Sequence, residues 1–117
     1  MYNYNLARHP SFDKIIQEIG KNNEKAEKTI ATAIEKLLTE PYKVGKPLKG
    51  APPDLQGKIW RIWVGGKKGF RIFYSIDKKK KTVVLLDIQL RADIDYDSLF
   101  DIREWNKFRE LLNAIEY

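Results

Sequence analysis

Apolar residues recur at helical spacing in two stretches near the N-terminus. The first stretch predicts an amphipathic helix that ends at Gly20, with four apolar positions on one side: Phe12, Ile15, Ile16 and Ile19. The second predicts a helix that runs to about Thr39 and is stopped by Pro41, with six apolar positions on one face: Ala26, Ile30, Ala33, Ile34, Leu37 and Leu38. Because only residues 21–23 separate the two helices, we expect an antiparallel helical hairpin.

Three later stretches are rich in β-branched and aromatic residues and predict β-strands at 58–64, 70–76 and 82–88. The links GGKKG and DKKKK between them suit hairpin turns. Alternation along the first two strands assigns seven residues to a core face: Trp60, Ile62, Val64, Phe70, Ile72, Tyr74 and Ile76. The opposite face then carries Arg61, Trp63, Arg71 and Phe73.

A final stretch from Ser98 predicts a third helix, with an apolar stripe at Trp105, Phe108, Leu112 and Ile115. The Pro-, Gly- and Lys-rich segment 41–57 is short enough to be an ordered connection within one domain. A chain of 117 residues is also the usual size of one domain. We therefore predict a single α+β domain over residues 1–117, in which residues 98–117 form a C-terminal helical extension.

The net charge of +6 is distributed unevenly along the chain. Residues 1–42 hold six basic and six acidic side chains, and residues 43–91 hold thirteen basic and three acidic ones. Residues 92–117 hold three basic and seven acidic side chains. The basic middle segment favours a polyanionic partner such as a nucleic acid, although lysine-rich surfaces also serve ordinary solubility.

The chain contains no cysteine, which excludes disulfides and thiol chemistry and suits a reducing compartment. Its first residues lack a basic stretch followed by an apolar run, and no segment approaches the roughly 20 apolar residues of a membrane span. We predict a cytoplasmic protein with no membrane association.

Several familiar catalytic sites are excluded by residue type. His9 is the only histidine, so a Ser/His/Asp triad is improbable and a ribonuclease site with paired histidines is ruled out. No glycine-rich loop leads into a helix with the lysine and hydroxyl of a P-loop. Any catalysis must therefore use arginine, lysine, tyrosine or carboxylate side chains.

An acidic run before the third helix has the spacing of an EF-hand loop: Asp93, Asp95, Asp97, Asp101 and Glu104. Ser98 stands where the sharp turn of that loop requires glycine, and the preceding segment is a predicted strand rather than a helix. We favour the simpler interpretation that these carboxylates stabilise the N-terminus of the third helix.

The face with Arg61, Trp63, Arg71 and Phe73 is the strongest chemical signal. Aromatic rings can stack on unpaired RNA bases, and guanidinium groups bind phosphates. The same pattern is compatible with a second hydrophobic surface under a helix, with arginines at its rim. Both interpretations remain open from the residues alone.

The order of elements and several local strings resemble the RelE/ParE superfamily of toxins. The matching strings are LKGAPPDLQGKIWRIWVGG, GFRIFYSID and TVVLLDIQLRADI, within a resemblance that covers about residues 12–96. It implies two N-terminal helices on a twisted, mostly antiparallel β-sheet, and an antitoxin that wraps the toxin in a hetero-oligomer. Members similar to RelE cleave messenger RNA on the ribosome, whereas members similar to ParE inhibit DNA gyrase.

The resemblance also implies roles for particular residues. By position, the catalytic residues that act on the scissile phosphate would be Arg61, Arg71, Arg91 and, as a less secure match, Tyr96. The RNA-binding residues would be Lys46, Lys49, Lys58, Trp63 and Phe73. Such a site needs neither a metal nor a cofactor, because arginines can stabilise the charge on the phosphate when the ribose 2'-hydroxyl attacks.

We predict a metal-independent endoribonuclease that cleaves messenger RNA on the ribosome. Two alternatives stay open: an inhibitor of DNA gyrase, and an inactive relative that binds RNA or protein. Trp63 occupies a position where such toxins often have a second basic residue, and Gln89 and Leu90 replace a frequent glycine and histidine. We expect the acidic third helix to be drawn toward the basic sheet and to dock beside the site rather than over Trp63 and Phe73.

Overall fold

The computed structural model describes residues 3–8, 10–65, 69–90 and 102–114. Its four helices are α1 (Pro10–Asn22), α2 (Glu24–Thr39), α3 (Pro41–Val44) and α4 (Ile102–Ala114). Its five strands are β1 (Asn5–Arg8), β2 (Lys46–Pro47), β3 (Trp60–Val64), β4 (Phe70–Asp77) and β5 (Thr82–Leu90). The predicted α+β class is confirmed, and the connection 41–57 contributes α3 and β2, which the sequence pattern did not predict.

All five strands form one sheet in the order β1-β5-β4-β3-β2. The pairs β3–β4 and β4–β5 are antiparallel, as predicted. β2 is also antiparallel to β3, and β1 lies parallel to β5 at the edge. The register of β4 with β5 shifts between Phe73 and Tyr74. At such a bulge β5 holds one extra residue, so the side chains on both sides of it keep the same faces as their partners in β4.

The helical hairpin of α1 and α2 covers one face of the sheet. Asn23 is the N-cap of α2, and its side chain accepts a hydrogen bond from the Ala26 amide at 3.1 Å. The buried core beneath the hairpin draws on helices and strands: Phe12, Ile30, Ala33, Leu37, Leu38, Val64, Ile72, Tyr74, Val83, Leu85 and Ile88. All seven predicted core-face residues of β3 and β4 lie in this cluster or pack against it, which confirms that prediction.

Tyr74 ties this core to the end of the hairpin. Its hydroxyl donates a buried hydrogen bond to the Pro41 carbonyl at 2.7 Å. Burial raises the pKa of Tyr74 well above its usual range, so the phenol stays protonated and available as a donor. Within the part of the chain that the structure describes, no helix is long and apolar enough to cross a membrane.

Candidate nucleic-acid interface

The face of the sheet that points away from the helical hairpin carries the predicted site residues of β3 and β4. Arg61 lies opposite Phe73, and Trp63 lies opposite Arg71, so all four side chains share this face. On the neighbouring strand, Lys46 pairs with Arg61 and extends the same row toward the β2 edge. The alternation of the sequence therefore places these five residues together.

Two guanidinium groups flank the Trp63 ring. The Arg61 guanidinium carbon lies 5.4 Å from the ring centroid, and that of Arg71 lies 5.3 Å from it. Both distances are within the range of a cation–π interaction, which holds the two positive charges beside one indole. Arg61 and Trp63 are half-buried, so part of this group faces solvent. We call Lys46, Arg61 and Trp63 the open half of the face.

Phe73 lies in a different environment. It is 0% exposed, and its ring centroid lies 5.2 Å from that of Phe108 in α4. The prediction that Phe73 stacks on RNA bases is therefore wrong for this structure, because a base cannot reach the ring. Arg71 is 8% exposed, and its guanidinium carbon lies 4.6 Å from the centroid of the Phe73 ring. The guanidinium is therefore largely covered as well.

A second hydrophobic core explains the burial of Phe73. It contains Ala51, Leu55, Ile59, Phe73, Val84, Leu86, Trp105 and Phe108. Phe73 of β4 and Val84 and Leu86 of β5 make this part of the face away from the hairpin apolar, so it needs a cover of its own. Helix α4 and the loop before β3 provide that cover. We call this region, centred on Phe73, the covered half of the face.

The position of α4 corrects the expectation that this helix docks beside the site. Trp105 and Phe108 are buried against Phe73, so the helix lies over that part of the sheet face. It leaves Trp63 half-exposed. The physical reason is the apolar surface that Phe73, Val84 and Leu86 would otherwise present to water.

Among the described residues, two ion pairs attach α4 to the rest of the chain. In both pairs the helix supplies the basic residue, whereas the prediction had an acidic helix attracted to a basic sheet. The Lys107 ammonium lies 2.8 Å from the carboxylate of Asp87, which pairs with Phe73 across the sheet. Arg109 donates two hydrogen bonds to Asp54 in the loop, at 2.7 and 2.9 Å. Basic residues of the helix thus contact acidic residues of the basic segment, and the net charges of the two segments did not indicate these pairs.

These pairs differ in burial. The Asp87 side chain is 5% exposed and also accepts a hydrogen bond from Gln89 at 3.0 Å. Asp54 lies at the surface, where hydrogen bonding to Arg109 lowers the pKa of its carboxyl group. The same hydrogen bond raises the pKa of Arg109. No sequence motif marked these four residues: Asp54 is a single acid in a loop, Asp87 lies in an apolar strand, and Lys107 and Arg109 belong to the mixed charges of α4.

The remaining predicted lysines are exposed in the loop before β3. A hydrogen bond from the Leu48 amide to the Ile59 carbonyl, at 2.9 Å, closes this loop. Lys49 follows Leu48 and Lys58 precedes Ile59, so the two lysines lie near one another at the base of the loop. The loop packs on the covered half, and its lysines therefore border the same face as Arg61.

Comparison with known proteins identifies the family. The sequence model for the ParE toxin of the type II toxin-antitoxin system parDE matches residues 7–95. The chain belongs to this toxin family. The toxin is also 29% identical over 91 residues to a protein of Methanocaldococcus jannaschii named as the toxin RelE4, a match that covers 78% of this chain and 89% of the relative.

Solved structures agree with this assignment. The RelBE2 toxin-antitoxin complex of Mycobacterium tuberculosis aligns with a TM-score of 0.59 and 25% identity, over 75% of this chain and 98% of the other. The archaeal RelE–RelB complex of Pyrococcus horikoshii shares the fold at a TM-score of 0.57 and 19% identity, over 78% of this chain and 98% of that one. A mutant of E. coli RelE in the free state aligns over 97% of both chains, at a TM-score of 0.59 and 17% identity. The RelE/ParE-like fold is therefore confirmed for this toxin.

Some predicted residues of the toxin lie outside the described ranges. Arg91 and Tyr96 are among them, so their catalytic roles stay predictions. Four residues of the acidic run, Asp93, Asp95, Asp97 and Asp101, also fall there, together with Ile115 of the predicted third helix. Within the described ranges, the structure contains no group of histidine, cysteine or carboxylate side chains that could hold a metal ion.

Proposed function

We propose that this toxin is a cytoplasmic endoribonuclease that cleaves messenger RNA on the ribosome. The observation that carries the proposal is the open half of the face, where Arg61 and Arg71 flank the half-exposed Trp63 ring. Lys46 adds a positive charge in the same cross-strand row. Single-stranded RNA offers this group a base to stack on Trp63 and a phosphate for Arg61.

The proposed chemistry uses the ribose next to the scissile phosphate. Its 2'-hydroxyl loses its proton to water and attacks the phosphorus in line, while the bond from phosphorus to the 5'-oxygen of the next nucleotide breaks. The departing 5'-oxygen takes up a proton from water, so the products are a 2',3'-cyclic phosphate and a free 5'-hydroxyl. Negative charge builds on the phosphate oxygens as the two bonds exchange. Arg61 binds those oxygens through two N–H groups, and Arg71, whose guanidinium carbon lies 5.3 Å from the Trp63 ring centroid, supplies a second positive charge nearby. Arg91 would complete the set, with Tyr96 as a further candidate. None of these steps requires a metal.

We further propose that a cognate antitoxin binds the toxin. Two of the similar structures are toxin-antitoxin complexes, one bacterial and one archaeal. An antitoxin would silence the proposed activity most directly by covering Arg61 and Trp63. Because these residues border an exposed row of lysines, we expect the covering segment to be acidic.

Gyrase inhibition is the second candidate function. It is favoured by the covered state of Arg71 and Phe73, which leaves fewer exposed groups for catalysis than a ribonuclease site would use. The matching family is also named for ParE toxins. An inactive relative that binds RNA or protein would have the same exposed residues, and the experiment below separates all three.

The test compares induced wild-type toxin with Arg61→Ala. Primer extension on a translated message should show new cleavage sites with the wild type and a loss of about a hundredfold or more in cleavage rate with the variant. Lys28→Ala, which removes an exposed charge from α2, is the matched control and should cleave like the wild type. Circular dichroism checks that the three proteins are folded.

The outcomes are distinct for each function. Uncut messages together with loss of DNA supercoiling by purified gyrase would replace the proposal with gyrase inhibition. Uncut messages with normal supercoiling would leave a binding protein. Cleavage that survives in folded Arg61→Ala would remove Arg61 from the proposed active site.

A further inference from the structure

An aromatic cluster lies at the end of the sheet that carries the β4–β5 turn. Tyr42 in α3 is 38% exposed, an unusual exposure for a large aromatic side chain among the described residues. Its ring meets Trp60 edge to face at 5.5 Å and Tyr4 at 6.4 Å. These contacts hold the ring in place while part of its surface stays open to solvent.

Lysines surround this ring. The Lys78 ammonium lies 5.7 Å from the Tyr42 ring centroid. Lys43 and Lys81 line an open groove of about 360 Å³ beside Tyr42, together with Tyr4 and others: Asn3, Thr39, Glu40 and Pro41. That volume lies in the range of small-ligand sites, roughly 300–1,000 Å³. The single carboxylate among these lining residues, Glu40, lies 3.3 Å from Lys43, so the groove is positive overall.

Lys81 has a backbone conformation that favours glycine. Its φ is 47°, in the left-handed region, and its carbonyl accepts a hydrogen bond from the Asn5 amide at 2.7 Å. A non-glycine residue in this region is strained. The turn thus has a lysine where glycine would fit without strain, and that lysine is one of the residues that line the groove.

We propose that this groove binds one nucleotide of single-stranded RNA, with its base against Tyr42 and its phosphates on Lys78 and Lys81. The ring supplies a surface that accepts any base, and the two lysines beside it supply positive charge for the phosphates that flank a stacked base. An acidic peptide would use the lysines but would gain little from the aromatic ring. RNA uses both features, so it is the occupant that the groove fits best.

The groove is separate from the proposed cleavage site. Lys78 follows Arg71 by seven positions, which span roughly 23 Å in an extended strand. Arg61 is nearer, but it lies on the face away from the hairpin, whereas its neighbour Trp60, which contacts Tyr42, packs on the hairpin side. A single long RNA, or two different RNA segments, could therefore contact both places. The proposal extends the RNA-binding function, and it stands or falls independently of cleavage at Arg61.

The test measures binding of a fluorescein-labelled 12-nucleotide oligouridylate to the full chain by fluorescence anisotropy. Tyr42→Ala should weaken binding at least about fivefold, because one stacked base typically contributes about 1–3 kcal/mol. Tyr42→Phe keeps the ring and should bind like the wild type. Repeating both measurements in an Arg61→Ala background separates this groove from the proposed cleavage site.

The lysines are tested by Lys78→Gln combined with Lys81→Gly. Glycine fits the backbone at position 81, so the thermal unfolding midpoint should not fall, while the slope of log affinity against log salt should decrease by about 1.4 for two lost phosphate contacts. The control is Lys25→Gln with Lys28→Gln on the exposed side of α2, which should leave the slope unchanged.

Three results would overturn the proposal. The first is unchanged affinity in folded Tyr42→Ala, which would remove the ring from the site. The second is an equal decrease in slope for both lysine pairs, which would indicate attraction by overall charge. The third is a 12-residue polyglutamate peptide that competes for binding as strongly as the unlabelled oligonucleotide, which would assign the groove to acidic proteins.

Discussion

The two faces of the β-sheet are built from the same strands but are closed in different ways. On one face the helical hairpin buries a continuous apolar core that includes Ile72 and Tyr74. On the other, α4 and the loop before β3 bury Phe73, whereas Arg61 and Trp63 remain half-exposed. The second face therefore serves two purposes. One half of it is core, and the other half is available to a ligand.

This difference teaches that a cationic, aromatic face can be divided within one strand pair. Phe73 and Arg61 are directly opposite each other in register, yet Phe73 is buried and Arg61 reaches solvent. The boundary between the two halves lies at the edge of the part of β4 that α4 covers. Burial, rather than residue type, decides which of these side chains a ligand can reach.

The largest expected effect separates the two halves by stability. Phe73→Ala should lower the free energy of unfolding by about 3–5 kcal/mol, because it opens a cavity between the sheet and Phe108. Trp63→Ala, in the half-exposed position, should cost clearly less. Urea denaturation measures both. Equal losses, or a loss for Phe73→Ala below that for Trp63→Ala, would contradict the division of the face.

A smaller effect is expected at the ion pair that fixes α4 to β5. Lys107→Met removes the ammonium from the buried Asp87 carboxylate, which still accepts a hydrogen bond from Gln89 on the same strand. The change should cost about 1–2 kcal/mol, less than breaking a fully buried pair, because Lys107 is half-exposed. The same denaturation measurement applies, with Lys25→Met as an exposed control near zero. No difference between the two variants would mean that the pair does not hold the helix.

The smallest effect concerns the surface pair between Asp54 and Arg109. Its hydrogen bonds lower the pKa of Asp54 in the folded state, so the carboxylate stabilises the fold above its unfolded pKa, near 3.8, and that contribution is lost as pH falls through the folded pKa. The difference in unfolding free energy between wild type and Asp54→Asn should therefore be present at pH 7 and vanish in acid. A difference that grows as pH falls would contradict the assigned pair.

The sequence predicted most of the fold because its periodic patterns are strong. The apolar stripes of α1 and α2 and the alternation through β3 and β4 each have one dominant interpretation, and the structure agrees with them. The parallel pairing of β1 with β5 could not be predicted, because strand neighbours distant in sequence leave no local pattern.

The site was harder to predict for a physical reason. Phe73 follows Arg71 by two positions, so both residues lie on the same face of the strand. Because the arginines indicated phosphate binding, every residue of this face was assigned to the predicted site. The continuous apolar run TVVLLDI at 82–88 was the contrary signal, since a strand that is apolar on both faces is typically covered on both. Its Val84 and Leu86 form the floor on which α4 packs.

The most direct test of the divided face uses the indole N–H signals of the three tryptophans in a 15N-labelled toxin. Trp63 lies in the open half and Trp105 in the covered half. During titration with a short single-stranded RNA, we predict that the Trp63 signal shifts while the Trp105 signal keeps its position. A shift of Trp105 with Trp63 unmoved, or equal shifts of both, would contradict the account.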